Sequence, residues 1–135
     1  MKLFHKVAII GTGLIGGSLG ESIKKKHLAD LVVGVSRHKK SLLFAKRMRA
    51  IDAGSLDMSI IRGADLVVLA TPVSVILKQA QEIRSLISRD CIVTDVGSTK
   101  EEIVSLLQKL FPNYIGSHPL AGSEKKSITL SLIHI

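Results

Sequence analysis

Aromatic residues are scarce in this chain, and tryptophan is absent. Phe, Trp and Tyr together make up 3% of its 135 residues. Because single-stranded nucleic acid is usually bound by stacking bases on exposed aromatic side chains, the composition argues against such a site. The 19 Lys and Arg exceed the 11 Asp and Glu and give a net charge of +8. No recognition helix or RNA motif accompanies this excess, so we expect no nucleic-acid partner.

Cysteine is almost absent as well. A single cysteine, Cys91, rules out an internal disulfide, and its place in an apolar run indicates a buried thiol in a reducing compartment. No cysteine or histidine spacing suggests a metal site. The N-terminus lacks an apolar segment of signal-peptide length, and the longest apolar stretch, 66–77, is too short to span a bilayer. We expect a cytoplasmic protein with no membrane partner and no metal.

What the chain does contain is a series of short apolar runs rich in Val, Ile and Leu. They predict β-strands, because they are β-branched and are bounded by Gly, Pro, Ser or Asp. The four strongest are Lys6–Ile10, Leu31–Val35, Asp65–Ala70 and Cys91–Val96, followed by a weaker candidate at Asn113–Ser117 and a short edge strand near Ala50–Ala53.

Between the strands, apolar residues recur every three to four positions, which is the period of an amphipathic helix. The three stripes are Ile15, Leu19 and Ile23; Ile76, Ala80, Ile83 and Ile87; and Ile103, Leu106, Leu107 and Leu110. Ser98 and Glu101 have the spacing of a capping box at the start of the third helix. Strands that alternate with helices require right-handed crossovers, which cover both faces of a parallel sheet. The predicted fold class is therefore α/β, with a doubly wound, mainly parallel sheet.

The first predicted strand runs directly into a glycine-rich turn with the spacing GxGxxG. In this context the first glycine permits a tight turn, the second lets backbone approach a pyrophosphate, and the third lets the helix pack closely on the strand. A P-loop is excluded because no Gly-Lys-Ser/Thr follows. We predict a Rossmann-type dinucleotide-binding domain in preference to a turn that binds nothing. The predicted cofactor-binding residues of the turn are Gly11, Thr12, Gly13, Leu14, Ile15 and Gly16.

The second predicted strand ends without an acidic residue. In NAD-binding domains, an Asp or Glu about 20 residues past the turn accepts hydrogen bonds from the ribose hydroxyls. Here Ser36 occupies that position, and Arg37 follows it. A hydroxyl and a guanidinium suit a 2′-phosphate, and no carboxylate beside them in the sequence repels the anion. We expect NADP as the cofactor, with NAD possible; a solvated, basic helix start is the competing interpretation.

Three further segments extend the pattern: LVVLATPV (66–73), VTDVGSTK (93–100) and YIGSHPLAGSEK (114–125). Together with VAIIGTGLIGGSLG (7–20) and VVGVSR (32–37), they resemble the N-terminal domain of prephenate and arogenate dehydrogenases. The resemblance extends to about Lys125. We therefore expect residues 1–125 to form the dinucleotide-binding domain and residues 126–135 to form an atypical C-terminal tail.

Three of the motifs follow predicted strands and should meet at one edge of the sheet, where ligands bind in open α/β folds. Thr71 and Pro72 are therefore predicted to contact the cofactor. His118 is a titratable group that can accept the proton of an alcohol while hydride leaves the same carbon. The resemblance implies that His118 polarises the substrate hydroxyl and that Ser98 helps hold this hydroxyl and the nicotinamide. Asp95 is expected to orient the loop before Ser98 by accepting backbone N–H bonds.

The resemblance implies an NAD(P)-dependent oxidoreductase of tyrosine biosynthesis that oxidatively decarboxylates prephenate or arogenate. It also implies a C-terminal helical domain through which the family forms homodimers. Because the chain continues only as KSITLSLIHI after Lys125, we expect that domain to be absent. Two alternatives remain open: a catalytically incomplete NAD(P)-binding fragment, and another Rossmann dehydrogenase of the 3-hydroxyacid type.

Overall fold

A computed structural model describes residues 2–96 and 101–116 of the chain. Within these residues, strands and helices alternate as the sequence predicts. The strands are β1 (Phe4–Ile10), β2 (Ala29–Val35), β3 (Ala53–Ser55), β4 (Leu66–Leu69), β5 (Ile92–Asp95) and β6 (Tyr114–Ile115). The helices are α1 (Leu14–Lys25), α2 (Lys39–Arg47), α3 (Val73–Leu86) and α4 (Glu101–Leu110), and a short 3₁₀ helix spans Met58–Ile61.

The strands form one parallel sheet in the order β3-β2-β1-β4-β5-β6. After β3, at one edge, the chain returns to the other side of β1 and continues outward from there. This is the strand order of a dinucleotide-binding Rossmann fold, and it opens a crevice where the direction of winding reverses, between β1 and β4. The predicted fold class is confirmed.

Two apolar cores cover the two faces of the sheet. On one face, Val7 and Ile9 of β1 pack with buried residues of α1 and α2, including Leu19 and Ile23. On the other face, the alternate residues of β1 pack with the 3₁₀ helix, α3 and α4. All four residues of β4 are buried, as expected for a central strand covered on both faces. The burial holds the carboxyl ends of β1, β2 and β4 in fixed relative positions.

Several details differ from the sequence-based expectations. The edge strand begins only at Ala53, and Ala50 and Ile51 are buried in the segment that precedes it. Helix α2 was not predicted from the apolar periodicity, because its apolar stripe is short, with only Leu42 and Ala45 buried. Ile15 was expected to face the core, but 57% of it is exposed in the first turn of α1. Of the other predicted stripe residues, Leu106 is also exposed and Ile87 lies just past the end of α3.

The cysteine lies just before β5 and is almost completely buried. Burial, together with the negative charge of Asp65, raises the pKa of the Cys91 thiol to about 12. The thiol is therefore protonated at neutral pH and has little nucleophilic character. No helix within residues 2–96 and 101–116 is both long enough and apolar enough to cross a membrane. The same residues include no cluster of three His, Cys, Asp or Glu side chains placed to hold a metal ion.

Candidate functional site

A cavity of about 650 Å³ opens at the carboxyl edge of the sheet, above β1. Its floor is the β1–α1 turn. One wall comes from the segments that follow β2 and β3, and the other comes from the β4–α3 loop and α3 itself. Backbone hydrogen bonds continue the parallel ladders past the strand ends: Gly11 N donates to Val35 O at 2.8 Å, and Ala70 N donates to Ile10 O at 2.8 Å. The loops around the cavity are therefore aligned by the sheet itself.

The glycines of the turn have the three geometries that their spacing predicts. Gly11 has a φ of +97°, and a Cβ there would lie 2.7 Å from Cγ2 of Thr71. At Gly16 a Cβ would lie 2.1 Å from the carbonyl oxygen of Gly11, so the helix can approach the turn this closely only without a side chain. A Cβ on Gly13 would have no atom within 4 Å. The middle glycine therefore borders open space in which a ligand can approach the backbone.

Helix α1 begins at this turn without a side-chain cap. Gly13 is its N-cap residue, and no acidic side chain lies in the first turn. The first intrahelical bond runs from Gly17 N to Gly13 O at 2.7 Å. The preceding helical amides, at residues 14–16, have no intrahelical acceptor because of their position. Together with the helix dipole, they provide a binding position for an anion.

Seven of the ten predicted cofactor-binding residues line this cavity. They are Gly11, Thr12, Gly13, Ser36, Arg37, Thr71 and Pro72. The other three do not. Leu14 is 88% exposed and faces a second groove, between α1 and α2, whereas Gly16 is buried under the turn. Leu14, Ile15 and Gly16 carry the free backbone N–H groups at the start of α1, and these groups are available to contact a cofactor.

Three buried polar atoms around the cavity have no hydrogen-bond partner among the described residues. They are Oγ1 of Thr12, Oγ1 of Thr71 and Oε1 of Gln79. Buried polar groups are rarely left unpaired, because each one loses its hydrogen bonds to water without replacement. A ligand rich in hydrogen-bonding groups would supply the missing partners. The residues present therefore fit a nucleotide.

Sequence reasoning missed a second group of cavity residues. Val75, Gln79 and Glu82 lie on the cavity side of α3, and Leu56, Asp57 and Met58 follow β3. The α3 residues recur at i, i+4 and i+7, so a helical projection starting from Pro72 could have found them. The residues after β3 could not be placed as easily, because this strand is only three residues long.

Asp57 brings a carboxylate into the cavity that Arg37 also lines. We expected no carboxylate near Arg37, which is true of the neighbouring residues in the sequence but wrong in space, since both side chains line the same cavity. The carboxylate of Asp57 accepts a hydrogen bond from Ser59 N at 2.9 Å. This bond, with a contribution from the Ser59 hydroxyl, lowers the pKa of Asp57. The site therefore has a positive and a negative charge on the same wall.

Asp95 lies completely buried at the carboxyl end of β5. It accepts a hydrogen bond from the hydroxyl of Tyr114 on the neighbouring strand β6. Burial and this bond raise the pKa of Tyr114. The backbone N–H donors expected from the loop before Ser98 stay a prediction, because residues 97–100 lie outside the described residues. The Tyr114 hydroxyl is a further donor that the sequence did not reveal.

The two predicted catalytic residues, His118 and Ser98, lie outside the described residues. Because Ser98 is also the predicted capping residue, the predicted capping box is not described either. The predicted tail, 126–135, also lies outside the described residues. The described residues therefore form only the cofactor side of the site, and the roles of His118 and Ser98 stay predictions.

The comparison with known families supports the same interpretation. Residues 19–133 match the family model described as the nucleotide-binding domain of prephenate dehydrogenase. The chain belongs to this family. The matched region begins after the glycine-rich turn, so the family match and the turn geometry are independent observations. Membership also decides against the 3-hydroxyacid alternative: a solved (S)-3-hydroxybutyryl-CoA dehydrogenase from Ralstonia eutropha shares the fold, with a TM-score of 0.72, at 14% identity.

Curated members of the prephenate dehydrogenase family are similar to most of this chain. A prephenate dehydrogenase from Lactococcus lactis is 38% identical over an alignment of 133 residues; the alignment covers 91% of this chain and 36% of that protein. A cyclohexadienyl dehydrogenase from Zymomonas mobilis is 38% identical over an alignment of 130 residues; the alignment covers 92% of this chain and 43% of that protein. The chain thus spans well under half the length of these relatives.

Solved structures of the family have the same fold. A prephenate dehydrogenase from A. aeolicus, in complex with hydroxyphenyl propionate and NAD+, superimposes with a TM-score of 0.80 at 30% identity, covering 90% of this chain and 43% of that one. A Synechocystis arogenate dehydrogenase superimposes with a TM-score of 0.77 at 31% identity, covering 84% of this chain and 40% of that one. The two matches are about equally good, so they do not distinguish prephenate from arogenate.

Proposed function

We propose that this chain is the NAD(P)-binding domain of an oxidoreductase that oxidatively decarboxylates prephenate or arogenate in tyrosine biosynthesis. The observation that carries the proposal is the uncapped glycine turn, which borders a cavity at the crevice of the sheet, in a chain of the prephenate dehydrogenase family. By resemblance, the complete family enzyme forms a homodimer through a further domain. The competing function is a binding module without catalytic activity.

In this proposal, different residues of the cavity bind different parts of the cofactor. The free amides at the start of α1 bind the pyrophosphate, and Gly13 leaves room for it. Ser36 and Arg37 hold the adenosine ribose on one wall, and Thr71 and Pro72 form the other. When bound, the nicotinamide supplies the hydride acceptor, so the protein contributes positioning and proton transfer. In our proposal His118 accepts the proton of the substrate hydroxyl, and Ser98 holds that hydroxyl.

The basic test is dinucleotide binding by the folded chain, measured by calorimetry with NADP and with NAD. We expect both to bind, and NADP to bind more tightly. If neither binds to well-folded protein, the proposal is wrong. If the dinucleotides bind but neither prephenate nor arogenate reduces them, the result supports the non-catalytic module.

Arg37 is proposed to give the preference for NADP. Exchanging it for aspartate should raise the Kd of NADP by about 10- to 100-fold, because a charge-assisted hydrogen bond to phosphate contributes about 1.5–3 kcal/mol. The Kd of NAD should change little, since NAD has no 2′-phosphate. Titration of Arg37→Asp with both dinucleotides measures the change.

Arg89→Asp provides the matched control for this substitution. Arg89 is exposed and precedes β5, so it lies near the amino ends of the strands, whereas the cavity lies at their carboxyl ends. The charge change is the same as in Arg37→Asp. It should leave the preference unchanged. Equal affinity of the parent protein for the two dinucleotides would contradict the proposed preference for NADP. An unchanged Kd of NADP in Arg37→Asp would contradict the proposed role of Arg37.

Gly13 is proposed to leave space for the pyrophosphate. Its backbone, with φ −74° and ψ −158°, is open to L-amino acids, and a Cβ would touch nothing in the protein. Gly13→Ala should therefore fold with nearly unchanged stability, yet raise the Kd of both dinucleotides at least about tenfold by displacing the phosphates from the helix amides. Calorimetric binding and thermal unfolding separate the two effects. Unchanged affinity in Gly13→Ala would place the phosphates elsewhere.

A further inference from the structure

Two charged residues of opposite sign stand at matching positions past the ends of neighbouring strands. In the parallel register of β2 and β3, Val35 pairs with Ser55. The ladder continues one step further, since Ser36 N donates to Ser55 O at 3.4 Å. Arg37 and Asp57 each lie two residues beyond this pair, and neighbouring strands are about 4.8 Å apart. The register therefore brings the guanidinium and the carboxylate to the same wall of the cavity.

The two side chains do not neutralise each other directly. Among residues 2–96 and 101–116, the ion pairs join Lys2 and His5 to Asp30, and Lys24 to Asp52. Arg37 forms none within this part of the chain. Asp57 is anchored instead by Ser59, whose N–H binds Oδ1, and its side chain is exposed. The hydrogen bond from Ser59 N lowers the pKa of Asp57 further below its ordinary value, so the carboxylate is ionised at neutral pH. Both charges are thus available to a ligand.

We propose that Asp57 is a specificity-determining residue of the dinucleotide site, which binds the ribose diol of NAD and opposes the 2′-phosphate of NADP. The inference rests on the proposed function and extends it. In many NAD-binding domains an acidic residue at the end of the second strand has this role, and Ser36 holds that position here. Asp57 supplies the missing carboxylate from the third strand. Arg37 attracts the phosphate and Asp57 repels it, so the balance between the two charges sets the cofactor preference.

The direction of each effect follows from charge and hydrogen bonding. A carboxylate accepts two hydroxyl bonds from a free ribose diol, and it cannot donate to a phosphate. Its repulsion of a phosphate a few ångströms away is moderate near the surface and is screened by salt. Among the described residues that line the cavity, Glu82 is the other carboxylate, and it lies on α3 and so belongs to the opposite wall. It does not share the ribose wall with Arg37.

The test substitution is Asp57→Asn, which removes the charge and keeps an oxygen to cap the 3₁₀ helix. We expect the Kd of NADP to fall about 3- to 10-fold and the Kd of NAD to rise about 2- to 5-fold at low salt. The gain for NADP should shrink at high salt, because it arises from a removed charge. Asp57→Ser, which also retains a capping oxygen, should shift the preference in the same direction and is the second variant if the first folds poorly.

Asp90→Asn is the matched control, because Asp90 is exposed between α3 and β5, near the amino ends of the strands and away from the cavity. It should leave the ratio of the two Kd values unchanged. A parent protein that binds dinucleotides, with the same ratio in Asp57→Asn and Asp57→Ser, would overturn the inference and leave the proposed function intact. A parent protein that binds neither dinucleotide would overturn both.

Discussion

Gly16→Ala is expected to destabilise the domain by about 3 kcal/mol, near the upper end for insertion of a methyl group into a packed site. The new Cβ would lie 2.1 Å from the carbonyl oxygen of Gly11 and 3.1 Å from Cγ2 of Ile9. The first contact is with backbone, so no rotamer change relieves it. Either α1 moves away from β1 or the turn deforms. Urea unfolding of Gly16→Ala and the parent protein measures the loss.

Gly17, the next residue, provides a control, because the same substitution there is expected to raise the stability of the domain. At Gly17 a Cβ would meet only the carbonyl oxygen of Thr12, at 3.7 Å, an ordinary contact. Since alanine is favoured over glycine in a helix interior, Gly17→Ala should stabilise the domain by up to about 1 kcal/mol. Two identical changes, one residue apart, are thus expected to act in opposite directions. Equal effects at both positions would show that the packing of α1 against the turn is not what restricts Gly16.

Gly16 also illustrates why the fold could be predicted from the sequence. The GxGxxG spacing, the β-branched run before it and the helical period after it are all local, and each constrains the same βα unit. The central strand β4 is buried on both faces, so its apolar run is continuous and easy to recognise. Local patterns of this kind determine the order of elements, and the handedness of crossovers then leaves few possible sheets.

The parts of the site that were missed depend on contacts between distant segments. Asp57 faces the same cavity as Arg37 only because β3 pairs with β2, and a three-residue edge strand has too little pattern to show its register. Tyr114 reaches Asp95 for the same reason, through the pairing of β5 and β6. Helix α2 was not predicted because only two of its nine residues are buried, which is too few to show a helical period. The closeness of the positive charge of Arg37 and the negative charge of Asp57 therefore depends on the folded sheet and cannot be read from either segment alone.

The second large effect is expected at His118, which lies outside the described residues and follows β6 in the sequence. If the proposed function holds, His118→Asn should lower turnover by about 10²- to 10⁴-fold, the usual contribution of a positioned general base. Asparagine keeps a hydrogen-bonding group of similar size but cannot accept the proton. The Kd of the dinucleotide should stay within about twofold, since pyrophosphate binding is assigned to the turn at 11–16.

The design separates this proton-transfer role from a merely structural one. Turnover is followed by the absorbance of reduced nicotinamide with prephenate and with arogenate, and binding is followed separately by calorimetry. His134→Asn is the matched control, because His134 lies outside all the motifs and should leave both quantities unchanged. Reduced binding in His118→Asn would indicate a structural residue. Unchanged turnover would show that another group takes the proton, since hydride cannot leave the carbinol carbon unless the hydroxyl proton is also accepted.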